Sequence, residues 1–378
     1  MKKLLFLIFC FGCIACTTSG SSQADNNQNN PSKEDAQVSS PVVMNPQHQA
    51  FALWISGLST QDTSAGYLKY QESSNNIWRK VVAGKINPIL NFRDSFLAPV
   101  KKVRKLFYPF SGGDFLYANV FFPEIDTLIM VGLEPPGSLF IPDSLPTPER
   151  QSYLSKLSQS LFFSNELGFF RTLSMEKELK QIRLNGTLHP IVFYLARSGY
   201  QINRILSSKL LSDGSLAVSA DTSRTQSNII YYQKAGETKE RVLYYFSIDL
   251  SDSGLKQTPA FTQFLKNQGE FGVFLKAASY LLHQAPFSTI RSHILEQSSV
   301  LLQDDSGVPL KFLKNQFDDI QVFGEYTQTI PLFASFYQPE LKSLFADSAK
   351  VRKTGFIIGY NQQFRQTNLI FAKKMRTL

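Results

Sequence analysis

Three acidic clusters in this chain have residue types and spacings suited to chemistry. The first is the turn Ser111-Gly112-Gly113-Asp114, followed by Glu134. Glycines placed after a strand let backbone N–H groups face a ligand, and a helix that follows adds its positive end. With strands expected at 106–108 and 127–133, Asp114 and Glu134 fall at the carboxyl ends of neighbouring strands, where open α/β sheets hold ligands. Asp114 also fits a plainer role as a helix cap. The second cluster is Asp304-Asp305-Ser306-Gly307. Adjacent carboxylates offer the hard oxygens that Ca²⁺ takes, but the alternating acids of a calcium loop are missing, so a hairpin turn fits better. Asp318-Asp319 reads the same way. The third is Ser247-Ile248-Asp249-Leu250-Ser251-Asp252, where Asp249 ends a strand as an acid, a base, a cation ligand or a cap for the next turn. His48, His189, His283 and His293 form no pair at helical metal-site spacing, so no metal is expected. The chain contains no G-x-S-x-G elbow, H-E-x-x-H or P-loop.

The order glycine turn, helix, strand, acidic residue over Ser111 to Glu134 resembles a dinucleotide or S-adenosylmethionine site. It departs from that pattern in lacking the G-x-G-x-x-G spacing. Soluble nucleotide cofactors are scarce outside the cytoplasm, and the leader points outside. No cofactor is expected.

The leader begins Met1-Lys2-Lys3, continues apolar from Leu4 to Ile14 with Gly12 inside it, and closes on Ala15-Cys16. Positive charge, a short apolar run and a small residue before the cut are the parts of a secretory signal. The run is shorter than the ~20 residues a spanning helix needs. Ile14, Ala15 and Cys16 match the last three places of the lipobox that ends a bacterial lipoprotein signal, so the leader resembles that family. Cys13 stands where the usual Leu would be and is the alternative site. The resemblance covers the leader alone. It implies loss of residues 1–15, diacylglyceryl attachment to the Cys16 sulfur and acylation of its amine, palmitate being a fitting chain. Two or three acyl chains anchor stably where one does not. Thr17, rather than Asp, follows Cys16 and leans the address towards the outer membrane of the cell envelope.

All three cysteines, Cys10, Cys13 and Cys16, lie in the leader, so the folded region has no disulfide and no thiol nucleophile. Hydrophobic residues make up 43% of the 378, enough for a sizeable core. The 32 Phe and 15 Tyr favour a Phe-packed core over aromatic platforms for flat ligands. The formal charge of +9 falls to +7 once Lys2 and Lys3 leave. Basic runs at 101–105 and 373–376 fit solvated edges or anionic head groups, and export argues against nucleic acid as a partner.

Residues 16–45 are rich in Ser, Asn, Gln, Thr and Pro and read as a disordered tether reaching roughly 30 Å. From 46 to 378 a globular region is expected, as one domain or as two subdomains meeting near residue 200. Helical spacing predicts two or three helices before Leu97, then a βαβ unit over 106–133 and a helix from Thr147 to about 162. Further helices are expected over 175–182, 191–196, 258–266, 271–283 and 288–296. Strands are expected at 202–206, 215–219, 227–233, 241–249, 300–302, 310–313, 320–326, 355–360 and 368–372, with hairpins around Gly236 and Asp304–Gly307. The fold class expected is α+β or mixed α/β: a helical N-terminal part, a central βαβ unit and antiparallel strands in the C-terminal half. The function expected is that of a membrane-anchored envelope lipoprotein binding an envelope polymer, small molecule or protein. The alternative is a hydrolase-like extracytoplasmic enzyme using carboxylates near Asp114 and Glu134, or Asp249.

Overall fold

Short segments punctuated by Gly and Pro build most of this domain. In the computed structural model, residues 44–140, 146–167, 186–219, 226–347, 351–360 and 366–375 are described. The leader, all but the last two residues of the tether, and the helix expected over 175–182 lie outside them. The N-terminal helices are α1 (Pro46–Ile55), α2 (Ala65–Val81) and α3 (Asn87–Phe96), the last two joined by a π turn. Asn45 caps α1 by accepting from the Gln47 N–H, and Pro46 sits at the first helical place, where a missing N–H costs nothing. Then follow β1 (Lys105–Tyr108), α4 (Phe115–Phe121) and β2 (Thr127–Gly132), the expected βαβ unit with its strands adjacent and parallel. Pro123 disfavours helical geometry at Phe122 and ends α4.

Helices α5 (Thr147–Leu167) and α6 (Leu188–Arg197) precede four strands: β3 (Tyr200–Leu210), β4 (Leu216–Val218), β5 (Ser227–Lys234) and β6 (Glu240–Ser247). The hairpin at Gly236 joins β5 to β6 as expected. The remainder comprises α7 (Asp252–Gln257), α8 (Pro259–Asn267), β7 (Phe271–Leu275), α9 (Ser288–Gln297), β8 (Ser298–Gln303), α10 (Leu310–Leu313), β9 (Asp319–Gly324), α11 (Pro339–Ala346) and β10 (Asn368–Lys373).

The ten strands of the described residues form one mixed sheet, ordered β4-β3-β5-β6-β2-β1-β7-β8-β10-β9. Its centre, β6-β2-β1-β7-β8, is parallel, and antiparallel strands extend it on both sides. The class is α+β, with the N-terminal helical part that the spacing predicts. Val42–Leu378 form one compact unit, and the sheet runs unbroken through strands from both sides of residue 200. Successive strand residues face opposite ways, as the period of two requires. Leu106, Tyr108, Leu128 and Met130 pack with residues of α1 to α6, while Phe107, Ile129 and Val131 pack with residues of α7 to α11. Most of the phenylalanines fill these two layers. No helix of the described residues is long and apolar enough to cross a membrane.

Three expectations are corrected. Residues 271–283 do not form a helix, because 271–275 are strand β7. A parallel strand covered on both faces is apolar throughout, so its pattern cannot be told from that of a buried helix. The hairpin expected at Asp304–Gly307 is absent: β8 does end there, but residues 310–313 are the single-turn α10. Residues 355–360 form no strand: Phe356 and Ile358 pack into the helical layer from irregular backbone, which gives the same alternation of apolar residues.

Candidate functional site

Strand β2 lies on one side of β1 and β7 on the other, so the strand order reverses between β1 and β7. At such a switch point the loops leave in opposite directions and a crevice opens at the carboxyl ends. The loops after β1, β2, β7 and β8 carry Asp114, Glu134, Lys276 and Asp304-Asp305. Ser111, Gly112, Gly113, Asp114, Glu134, Asp304 and Asp305 lie on these loops, and Asp249, two residues past the parallel strand β6, reaches the same edge, so all eight residues singled out from the sequence fall there.

After β1, Phe110 and Gly112 take left-handed conformations, φ 58° and 51°, and turn the chain back over the sheet. The Ser111 N–H donates to the Val131 carbonyl at 2.8 Å, which pins the turn to β2. Asp114 holds the N-cap place of α4, where the Tyr117 amide favours its charged form although no cap hydrogen bond of full geometry is made. Its Oδ2 accepts instead from Tyr108 Oη at 2.7 Å and pairs with Lys276 Nζ at 2.5 Å. Tyr117 lies three residues along α4, on the same helix face as Asp114. Lys276 Nζ sits 3.6 Å from the centre of the Tyr117 ring, a cation–π contact.

The β8 loop closes the other side. Asp304 Oδ2 accepts from the Ala277 N–H at 2.8 Å, and its Oδ1 accepts from the Ser306 N–H and hydroxyl at 3.0 and 2.5 Å. Ser306 Oγ accepts from the Ala278 N–H at 2.7 Å. Asp305 accepts from the Tyr280 hydroxyl and, at 3.0 Å, from Asn368 Nδ2. Tyr360 Oη donates to the Ala277 carbonyl at 2.8 Å. Ala277, Ser279 and Tyr280 all have positive φ, 51° to 54°. Each such non-glycine residue costs about 1–3 kcal/mol and persists where its surroundings over-determine it. These bonds supply that over-determination.

The centre is sealed. Asp114, Glu134, Lys276, Asp304 and Asp305 are 1–4% exposed. Burial raises the Asp114 carboxyl and lowers the Lys276 ammonium pKa, while their mutual attraction opposes both shifts. Burial also raises Asp304. Burial and the neighbouring Asp304 carboxylate push Asp305 up to about 7.

Glu134 ends β2 with its carboxylate beside Gly132, where an added Cβ would lie 2.5 Å from Glu134 Oε2 and 3.2 Å from the Gly112 backbone. Glycine at 132 is thus what lets the β1 turn and the β2 end approach. Asp249 is not part of the site. It is exposed, and its two oxygens accept from the Ser251 N–H and hydroxyl as a turn cap. Asp252 accepts from the Ser288 hydroxyl and Thr289 N–H, capping α9.

Sequence reasoning missed Lys276 and the tyrosines. The signal that finds Lys276 is positional: once 271–275 is a buried parallel strand, Lys276 holds the carboxyl-end place that Asp114 and Glu134 hold on theirs. The calcium reading of Asp304-Asp305 fails because internal donors occupy these carboxylates. The glycine turn, α4 and Glu134 adjoin as in a nucleotide site, but Gly112 and Gly113 are buried and Asp114 fills the start of a seven-residue helix. Two grooves open elsewhere: one of about 740 Å³ beside Trp54 and Phe140, and one of about 560 Å³ beside Arg197. Comparison with known proteins finds no family model, curated protein or solved structure that matches this chain.

Proposed function

We propose that this chain is a lipid-anchored protein of the cell envelope that binds a ligand or partner, held at the outer membrane through Cys16. The observation that carries the non-catalytic reading is the burial of the carboxyl-end centre. A general acid or base must come within hydrogen-bond reach of its substrate. Asp304 and Asp305 spend their oxygens on Ser306, Tyr280, Asn368 and the Ala277 backbone, and Asp114 holds Tyr108 and Lys276 through Oδ2 while its buried Oδ1 has no hydrogen-bond partner. Glu134 is 4% exposed, and exposed Asp249 is tied to its own turn. The anchor rests on the lipobox-like Ile14-Ala15-Cys16 and on a folded region without cysteine.

Metabolic labelling with radioactive palmitate tests the anchor. The wild type takes up label and partitions with membranes, and Cys16→Ser does neither. Equal labelling of the two would refute it.

One observation favours a second reading, that of an extracytoplasmic enzyme: the buried centre lies at the place where α/β sheets hold substrates. Turnover of an envelope substrate that drops a hundredfold or more in a folded Asp114→Asn variant would establish this reading over the first.

A further inference from the structure

We infer that Arg197 anchors a binding site for an oxyanion, the carboxylate or phosphate group of a small ligand, in the groove between α2 and the end of α6. This goes beyond the proposed function and depends neither on Cys16 nor on the carboxyl-end centre. Arg197 is the last residue of α6, and its side chain reaches α2. It is 9% exposed. Its Nη1 donates to Asn75 Oδ1 at 2.6 Å, whereas Nε and Nη2 have no hydrogen-bond partner. Among the described residues no carboxylate pairs with it. Its other neighbours are the Phe193 ring, whose centre is 5.8 Å from the guanidinium carbon, and the hydroxyls of Tyr67 and Tyr70. Burial lowers its pKa, but guanidinium stays protonated in proteins, so the positive charge remains.

Buried charges are ordinarily paired, and an unpaired one is among the costliest features a fold can keep. The arrangement of the free donors is informative. Nε–H and Nη2–H lie on one edge of the planar guanidinium and point the same way, which matches the two oxygens of a carboxylate or phosphate. That edge lies at the inner wall, with Nη2 against Gly57. To meet a ligand in the groove that edge turns outward, exchanging the bond to Asn75 and the contact with Phe193 for the oxyanion.

The groove has about 560 Å³ of room, within the range of small-molecule sites. Gln71, Asn75, Trp78 and Arg79, on one face of α2, line it together with Arg197. The amides offer further donors, Trp78 offers an apolar ring, and Arg79 places a second positive charge at the mouth. Glu72 is the one acid lining the groove, and it is exposed.

Isothermal titration of the purified full chain, at constant ionic strength made up with sodium chloride, tests the site with inorganic phosphate in one arm and succinate in the other. Saturable binding of either supports it: phosphate alone marks a phosphate-bearing ligand, and succinate alone a carboxylate. Arg197→Gln should weaken binding tenfold or more, and Arg79→Gln, which leaves the buried fork intact, by a few fold. Should Arg197→Gln fail to fold, the wild-type titration and Arg79→Gln still decide. No saturable binding of either anion, or equal affinity in a folded Arg197→Gln, would overturn the inference.

Discussion

Lys276 is the residue on which the buried centre turns. Its ammonium faces Asp114 and the ring of Tyr117 and feels the attraction of the Asp304 carboxylate. Removing one partner of a buried pair costs about 3–5 kcal/mol, whereas replacing both with apolar groups is often close to neutral. Lys276→Met should therefore lower stability in urea unfolding by about that amount, and Lys276→Met with Asp114→Leu should recover most of it. A loss below about 1 kcal/mol for the single variant would mean that the pair is not desolvated.

Asp305 gives the centre a pH signature. Its folded pKa is raised, so its contribution is fully present below the ordinary carboxylate range and is lost as pH rises through about 7. The buried histidines act oppositely. His189 and His283 are lowered by burial to about 4, so the fold loses stability as pH falls below about 6.5. The carboxyl effect is therefore read against a variant that keeps the same histidines. Between pH 6.5 and 8 the melting temperature of the wild type should fall relative to that of Asp305→Asn. Parallel curves for the two proteins would show that Asp305 titrates normally.

At the scale of elements, the β7 loop carries the strain. Ala277 is held at φ 51° by Asp304 and Tyr360. Glycine reaches that conformation without a Cβ clash. Ala277→Gly should stabilise the protein by about 1 kcal/mol in chemical denaturation, against the usual penalty for introducing glycine. A loss of stability would mean that the loop is not strained at that residue. The elements on either side differ in how legible they were. The βαβ unit and the hairpin at Gly236 were plain in the sequence because each is local: an apolar run, a turn rich in Gly or Pro, then a change of period. Strand β7 was misread because Phe271–Leu275 is buried on both faces, which erases the alternation that marks a strand. The same misreading concealed Lys276, whose place at a strand end is visible only once the strand is recognised.

For the molecule as a whole, the sheet joins what the chain separates. Strands β3, β5 and β6 pair in series with β2, so the part beyond residue 200 shares its hydrogen bonds with the part before it. Calorimetric unfolding of the full chain should show a single cooperative transition. Two resolved transitions would mean that the antiparallel extension is a separate folding unit.

The sequence by itself determined the candidate acids and glycines, most of the short strands and helices, the helical start of the domain, and a leader with the parts of a lipoprotein signal. These depend on neighbours within a few residues, where spacing and side-chain chemistry act directly. Only the tertiary structure decided which acids meet. Asp114 and Asp304 are separated by most of the domain in sequence, yet they are brought to one edge because β7 inserts beside β1 and β8 beside β7. That order is set by the joint burial of both sheet faces, a property of all the strands together. The same burial turned an expected open cleft into a closed ionic centre, and it left Arg197, which no motif marked, with a charge that no carboxylate of the described residues answers.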